Sequence, residues 1–332
     1  MGKDNLIAIA FSDIHFHEFR DFNTGKNTRL EWIKKAFMDI VSIAEKSNVP
    51  VLFAGDLYHN PKELSQKTIL SSMSALGNKS VLIYGISGNH DQSEKNFLDK
   101  PSPSYLEMFK RYSNFHLLDN RRIDTLNFIA WGIPYLERPE ELKSQIKKFS
   151  KEAKKYHRVA KKMANRLNPK LRILILHSDM PNAETPTGFK VNEHGGINYE
   201  MFKHFDVVLC GHIHKGQRLY KNVWMLGCPI HQDRSNEGHE CGYWEVYSSG
   251  KLKFKHLKKY PHFITLQKGE TPSNNTDYFI NPETVLVDEE NNLGEFSLTL
   301  RRDKLAKRYL KIKNIKSKSK LKALINILNQ PE

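Results

Sequence analysis

Residues 6–15 read LIAIAFSDIH, and residues 51–59 read VLFAGDLYH. In each stretch an unbroken apolar run ends in a short polar segment that carries a carboxylate and an imidazole. An apolar run without alternation is the pattern of a strand buried on both faces. Strands are therefore expected over 6–12 and 51–55, and a third over 81–87, which runs into Gly88-Asn89-His90-Asp91. Between them the period changes from two to about 3.6. Leu30, Ile33, Phe37, Ile40 and Ala44 make one helical stripe, and Leu64, Ile69, Met73 and Leu76 make a second. A βαβαβ opening predicts a layered α/β fold with ligands at the carboxyl ends of its strands.

Outward from this opening, further strands are expected at 128–131, 173–177, 207–211, 223–226, 243–247 and 252–256. The late ones, joined by turns such as Ser248-Ser249-Gly250, read as antiparallel. Leu142, Ile146, Phe149, Ala153, Tyr156, Ala160, Met163 and Leu167 space one long amphipathic helix with Lys and Arg on its outer faces. The pattern changes near residue 259. Residues 272–275 are loop-like, 296–300 suit one more strand, and a lysine-rich tail ends in Leu321, Leu324, Ile325 and Leu328. The expected division is a main domain over 1–258, with a basic helical insertion at about 138–170, and a small C-terminal region over 259–332.

Among 332 residues, 39% are hydrophobic and 27% charged, an ordinary globular balance. The longest apolar runs are too short to span a bilayer, and MGKDNL has no secretory core. Cys210, Cys228 and Cys241 lack metal-knuckle spacing, and their sparse, odd count fits a reducing compartment, so a cytoplasmic location is expected. The net charge of +15 is unevenly placed: residues 143–172 hold twelve Lys/Arg against Glu152, and residues 301–322 hold eleven against Asp303. The remaining residues carry a net −6. An acidic body with two basic attachments points to a polyanionic partner; solvated lysine-rich helix faces are the alternative.

Five motifs fall at or just after strand ends: Asp13-Ile14-His15, Gly55-Asp56-Leu57-Tyr58-His59, Gly88-Asn89-His90-Asp91, His177, and Gly211-His212-Ile213-His214. One histidine at a strand end means little; the set in this order means a shared cleft. Imidazoles, carboxylates and one amide, without thiolates, suit Mn, Fe or Zn better than an all-oxygen Mg or Ca cage. One carboxylate shared by two ions about 4 Å apart lets them clamp the attacking and leaving oxygens of an in-line displacement.

This motif order resembles the calcineurin-like metallophosphoesterase superfamily. More narrowly it resembles nuclease subunits of the SbcD type, the meiotic-recombination-eleven nuclease and the small subunit of the T-even phage recombination endonuclease. The resemblance runs from about Ile7 to Tyr247. Its narrower form rests on GDLYH, GNHDQSEKNFLDKPSPSYLEMF, FDVVLCGHIHKGQ and GCPIHQDRSNEGHECGYWEVY. It implies a four-layer sandwich, two central mixed β-sheets flanked by helices, with the C-terminal region as a short capping and partner-binding appendage. It implies that Asp13, His15 and His214 hold one metal, that Asn89, His177 and His212 hold the other, and that Asp56 bridges them. His90 would face the scissile phosphate and protonate or stabilise the leaving oxygen, Asp91 would orient its ring, and His59 would help set the phosphate backbone.

Two departures stand out. The usual glycine after the first motif is replaced near His17, and Cys228 stands where relatives often have Ser. His17, His194, His231 and His239 lie near motif loops and are expected to be structural. The resemblance implies a two-metal DNA exonuclease and endonuclease, with Mn2+ first among the candidate ions and Mg2+, Fe2+ or Zn2+ as alternatives. Implied partners are DNA and an SMC-like ATPase of the SbcC type, with a homodimer as one arrangement. Lys147, Lys148, Lys151, Lys154 and Lys155 are the candidate DNA-backbone contacts, and the Leu321–Leu328 stripe is a candidate docking helix. Two other readings are a small-molecule or protein phosphatase on the same scaffold and a catalytically silent scaffold subunit.

Overall fold

The apolar run of β1 (Leu6–Phe11) serves two cores at once. Ile9 and Phe11 pack with Ile33, Phe37 and Ile40 of α1 (Arg29–Lys46), while Ala8 and Ala10 face a core shared with Ile173, Ile175 and Leu209. That is why the run lacks alternation, and small alanines let two sheets pack closely. The computed structural model describes residues 4–19, 27–77, 79–162, 170–192, 195–265 and 278–280. The chain divides into two compact units, residues 1–264 with 273–278, and residues 265–272 with 279–332. All elements named below fall in the first unit.

Helix α1 begins at a reciprocal cap: Glu31 N–H donates to the Thr28 hydroxyl, and Thr28 N–H donates to the Glu31 carboxylate. Strands β2 (Val51–Phe53), β3 (Ile83–Gly85) and β4 (Phe115–Leu117) extend the first sheet beyond β1. The second sheet holds β5 (Arg122–Asp124), β6 (Phe128–Ile133), β7 (Leu171–His177), β8 (Val207–Gly211), β9 (Gln217–Tyr220) and β10 (Val223–Met225). Strands β11 (Gly242–Tyr247) and β12 (Leu252–His256) return to the first sheet. The two six-stranded orders are β12-β11-β1-β2-β3-β4 and β5-β6-β7-β8-β10-β9. Both sheets are mixed, parallel at the centre and antiparallel where β11, β12, β5 and β9 join. Helices α1 and α2 (Gln66–Leu76) cover the first sheet, and α3 (Pro139–Lys162) covers the second, burying Leu142, Ile146, Phe149 and Ala153. Two mixed sheets flanked by helices is the architecture expected from the sequence.

Some boundaries move. Leu64 lies outside α2, because the Ser65 hydroxyl accepts from Thr68 N–H and starts the helix there. Strand β3 is only three residues long: Ile86 N–H still donates to Phe53 O, but Ser87 N–H turns to the Asp119 carboxylate as the chain enters the loop that carries Asn89. Strand β10 is parallel to β8, and β9 pairs with its other edge as a hairpin partner, so the late strands are not all antiparallel. Residues 163–169, 296–300 and 321–328 lie outside the described residues. No described helix is long and apolar enough to cross a membrane.

Candidate metal centre

Every motif sits where a central parallel strand ends. Strands β1, β2 and β3 deliver Asp13 and His15, Asp56 and His59, and Asn89 to Asp91; β7 ends in His177, and β8 leads into His212 and His214. Register brings β7 and β8 to the same level, with His177 opposite Gly211. The loops after β1 and β2 stay tied, as Asp13 N–H donates to Gly55 O (2.9 Å) and His15 N–H donates to Asp56 O (3.2 Å). Four of these residues carry left-handed backbone: Asp13 (φ 52°), His15 (49°), Asp56 (58°) and His212 (104°). Each such turn costs on the order of 1–3 kcal/mol and persists only where the surroundings enforce it. Gly88 is required here because a Cβ would fall 2.0 Å from Asp56 Oδ1.

The side chains converge in two groups. In the first, His15 Nε2 and His214 Nε2 are 3.1 Å apart, and Asp13 Oδ1 lies 4.0 Å from each. In the second, Asp56 Oδ2 is 3.2 Å from His177 Nε2, and Asn89 Oδ1 is 3.1 Å from both His177 Nε2 and His212 Nδ1. Asp56 Oδ2 also lies 3.8 Å from His15 Nε2, so one carboxylate stands between the groups. Each trio, Asp13–His15–His214 and Asp56–His177–His212, offers ligand atoms within 4.8 Å of one another.

The donor chemistry fits a cation. His177 Nδ1 lies 2.7 Å from Ala54 O, and His15 Nδ1 lies 3.1 Å from Tyr58 O. A carbonyl can only accept, so each Nδ1 carries a ring hydrogen, which leaves Nε2 facing inward as the atom that would hold a metal. There His177 Nε2 meets Asp56 Oδ2 and Asn89 Oδ1, and His15 Nε2 meets His214 Nε2, a convergence that a divalent ion satisfies. The electrostatics set the two rings apart. Burial, reinforced by neighbouring imidazoles, holds His15 well below its ordinary pKa and therefore neutral. Burial also disfavours the His177 imidazolium, but Asp56 outweighs it and lifts the ring to about 9, so without a cation this ring is protonated, and a bound ion would take the place of its Nε2 proton. Burial would raise Asp56; instead His177, His90 and His15 hold it far below the usual carboxylate range.

His90 lies at the side of this centre, half-buried, with its ring 5.0 Å from His15 and stacked on His59 at 5.6 Å. Its Nδ1 donates to the backbone carbonyl of His59. The expectation that Asp91 orients this ring is therefore corrected. Asp91 instead accepts four backbone N–H groups, from Asp56 (2.8 Å), Leu57 (2.9 Å), Tyr58 (3.0 Å) and Gly88 (2.9 Å). It clamps the Asp56 loop to the Gly88 turn. The His59 ring, lowered by burial and by His90 to about 4, is neutral and packs on His17 (5.2 Å) and Phe19 (4.8 Å).

Other sequence expectations sort by distance. His17 belongs to the imidazole wall behind His59, while His231 and His239 are spent on backbone partners away from both groups. His194 lies outside the described residues. Cys228 is buried, with Sγ 3.4 Å from His214 O and 3.5 Å from Cys241 Sγ. Lys147, Lys148, Lys151, Lys154 and Lys155 are exposed on α3. The structure does not bring these lysines into the cleft, because α3 starts near the site end of β6 and runs away from it. At 1.5 Å per residue they stand roughly 12–24 Å along the helix from Pro139.

Sequence reasoning missed four contributors. Asp179 Oδ1 is 3.5 Å from His212 Nε2, on the side of the ring opposite Asn89. The Tyr135 ring lies 5.7 Å from that of His212. Gln232 and Arg29, taken up below, sit behind the Asp13 turn. Only Asp179 carried a sequence signal, standing two residues after a strand-end histidine.

Paired imidazole–carboxylate groups at the strand ends of an α/β sandwich form a centre able to hold metal ions. The chain belongs to the calcineurin-like phosphoesterase family, whose sequence profile matches residues 8–216, a segment containing both groups. No curated protein matches it. One solved structure aligns over 77% of this chain and 100% of its own at 14% identity, with a TM-score of 0.40. A second, a hypothetical protein from Thermus thermophilus, aligns over 65% of this chain and 73% of its own at 11% identity, with a TM-score of 0.31. Family membership rests on the profile match.

Proposed function

We propose that this chain is a two-metal phosphodiesterase acting on DNA, an exonuclease and endonuclease of the SbcD and meiotic-recombination-eleven kind. The observation that carries the hydrolytic part is Asp56 Oδ2, placed 3.2 Å from His177 Nε2 and 3.8 Å from His15 Nε2. On this reading Asp13, His15 and His214 hold one ion, Asn89, His177 and His212 the other, and Asp56 contributes to both. Two divalent ions, Mn2+ first among the candidates, supply charge neutralisation and Lewis acidity for an in-line displacement at phosphorus. The protein's own part is positional. Nδ1 of His90 donates to the His59 carbonyl, so Nε2 can give a proton to the departing oxygen when the ring is the imidazolium, with both nitrogens protonated, and the ring is left neutral afterwards. His59 orients the phosphate beside it.

Support for DNA as the substrate is separate. It consists of the motif phrases shared with those nucleases and the exposed lysines of α3, which suit backbone contact. An SMC-like ATPase of the SbcC type is the partner this reading requires. The test is metal-dependent release of nucleotides from linear DNA, measured beside p-nitrophenyl phosphate and bis-p-nitrophenyl phosphate. Release from DNA together with cleavage of the diester supports the nuclease. Turnover of the monoester alone indicates a phosphatase, and no turnover with any divalent ion indicates a silent scaffold.

A further inference from the structure

The turn carrying Asp13 and His15 has left-handed backbone at both residues, and the carbonyls of Asp13 and Ile14 lie behind it. Those carbonyls meet one side chain. Gln232 Nε2 donates to Asp13 O at 3.2 Å and to Ile14 O at 3.3 Å, with Ile230 O also at 3.3 Å. The other end of the amide is equally committed. Gln232 Oε1 accepts from Arg29 Nη2 at 2.9 Å, and the same nitrogen donates to His231 O at 2.8 Å. A guanidinium has only donors, so it must face the amide oxygen, which forces the NH2 group toward the turn. The orientation of Gln232 is thus dictated by chemistry. Its backbone N–H is held in turn by Asn236 Oδ1 at 2.8 Å.

This assembly is buried. Arg29 and Asn236 are 0% exposed and Gln232 is 6% exposed, so each bond works in a medium where an unmet partner costs about 1–3 kcal/mol. It is also one-sided: the bonds of Gln232 reach the turn that bears Asp13 and His15, and none reaches Asp56, Asn89, His177 or His212. We propose that Gln232, oriented by Arg29, is a positioning residue that holds the Asp13–His15 turn and so sets the affinity of one of the two metal groups. The proposal rests on the two-ion reading above. Outer partners of metal ligands typically govern about 10–100-fold in metal affinity.

Two variants of the full chain test it. Gln232→Glu preserves shape and the Arg29 contact but turns a carboxylate oxygen onto three carbonyls. Gln232→Met preserves volume and removes both donors. Mn2+ binding is followed by titration calorimetry and by the electron paramagnetic resonance of bound Mn2+, with thermal unfolding of the metal-free proteins recorded alongside. The expected result is that both variants bind one ion about 10–100-fold more weakly and the other as wild type does. Unchanged affinity for both ions, or equal weakening of both in step with a lowered Tm, overturns the positioning role. Fewer than two ions in the wild type overturns the two-ion reading, and this proposal with it.

Discussion

The carboxylate of Asp91 accepts the backbone N–H of Asp56 at 2.8 Å, so the residue placed between the two metal groups is held in place by a second, wholly buried acid. The same carboxylate takes N–H groups from Leu57, Tyr58 and Gly88, and it makes the Asp56 loop and the Gly88 turn one body.

Asp91→Asn keeps the shape but turns an NH2 group toward two backbone N–H donors. The loss is expected to be on the order of 1–3 kcal/mol, with a lowered Tm and reduced turnover. Denaturant melts of the metal-free protein check it, and an unchanged midpoint contradicts the clamp.

His90→Ala is expected to keep both ions and to lose about 10²–10⁴-fold in rate, the usual worth of a positioned acid–base group. The deficit shrinks on esters with good leaving groups, which need less protonation. Equal deficits on good and poor leaving groups leave His90 a role in phosphate placement only.

The lysines of α3 separate a nuclease from an enzyme of small phosphoesters. Replacing Lys147, Lys148, Lys151, Lys154 and Lys155 by Gln keeps helix propensity. If the face follows a phosphate backbone, DNA affinity falls, and each lost contact flattens the log–log salt dependence by about 0.9 on duplex. Cleavage of bis-p-nitrophenyl phosphate stays near wild type, since the lysines lie along α3 away from the cleft. A salt slope that survives all five changes makes the face a solvated one.

His231 supplies a pH dependence. Its Nδ1 accepts Phe263 N–H at 3.1 Å and its Nε2 donates to His239 O at 3.0 Å, so the folded state holds a neutral ring. Burial lowers it to about 4 from an ordinary 6.5. The unfolded chain therefore binds the proton more readily. The stabilisation is full above pH 6.5 and is lost as pH falls toward 4, by on the order of 3 kcal/mol at most. Urea unfolding of wild type and His231→Gln at pH 7.5 and pH 4.5 measures it. The gap between the two proteins should narrow at the lower pH, and a constant gap refutes the assignment.

Much of this was legible in sequence because burial and chemistry coincide at strand ends. Ile9 and Phe11 serve one core and Ala8 and Ala10 another, which writes an unbroken apolar run that stops at Asp13. Strands of three or four residues, such as Phe115–Leu117 and Gln217–Tyr220, are too short to show a period. Asp91 was visible but its direction was not: adjacent side chains in a tight 3₁₀ turn diverge, one to the cleft and one to the backbone. Arg29 and Gln232 are separated by 203 positions. Arg29 opens a helix as an ordinary first-turn residue would, and only the folded chain shows the two side chains meeting behind Asp13.

The most direct test of the central claim is the number of divalent ions bound by Asp56→Asn, measured by elemental analysis of the Mn2+-loaded protein beside wild type. Asp56 Oδ2 stands 3.2 Å from His177 Nε2 and 3.8 Å from His15 Nε2, and an amide cannot supply negative charge to both sides. Two ions in the wild type are expected to fall in the variant, with turnover abolished and the circular dichroism of the fold retained. Two tightly held ions and a wild-type rate in Asp56→Asn would contradict the shared-carboxylate centre.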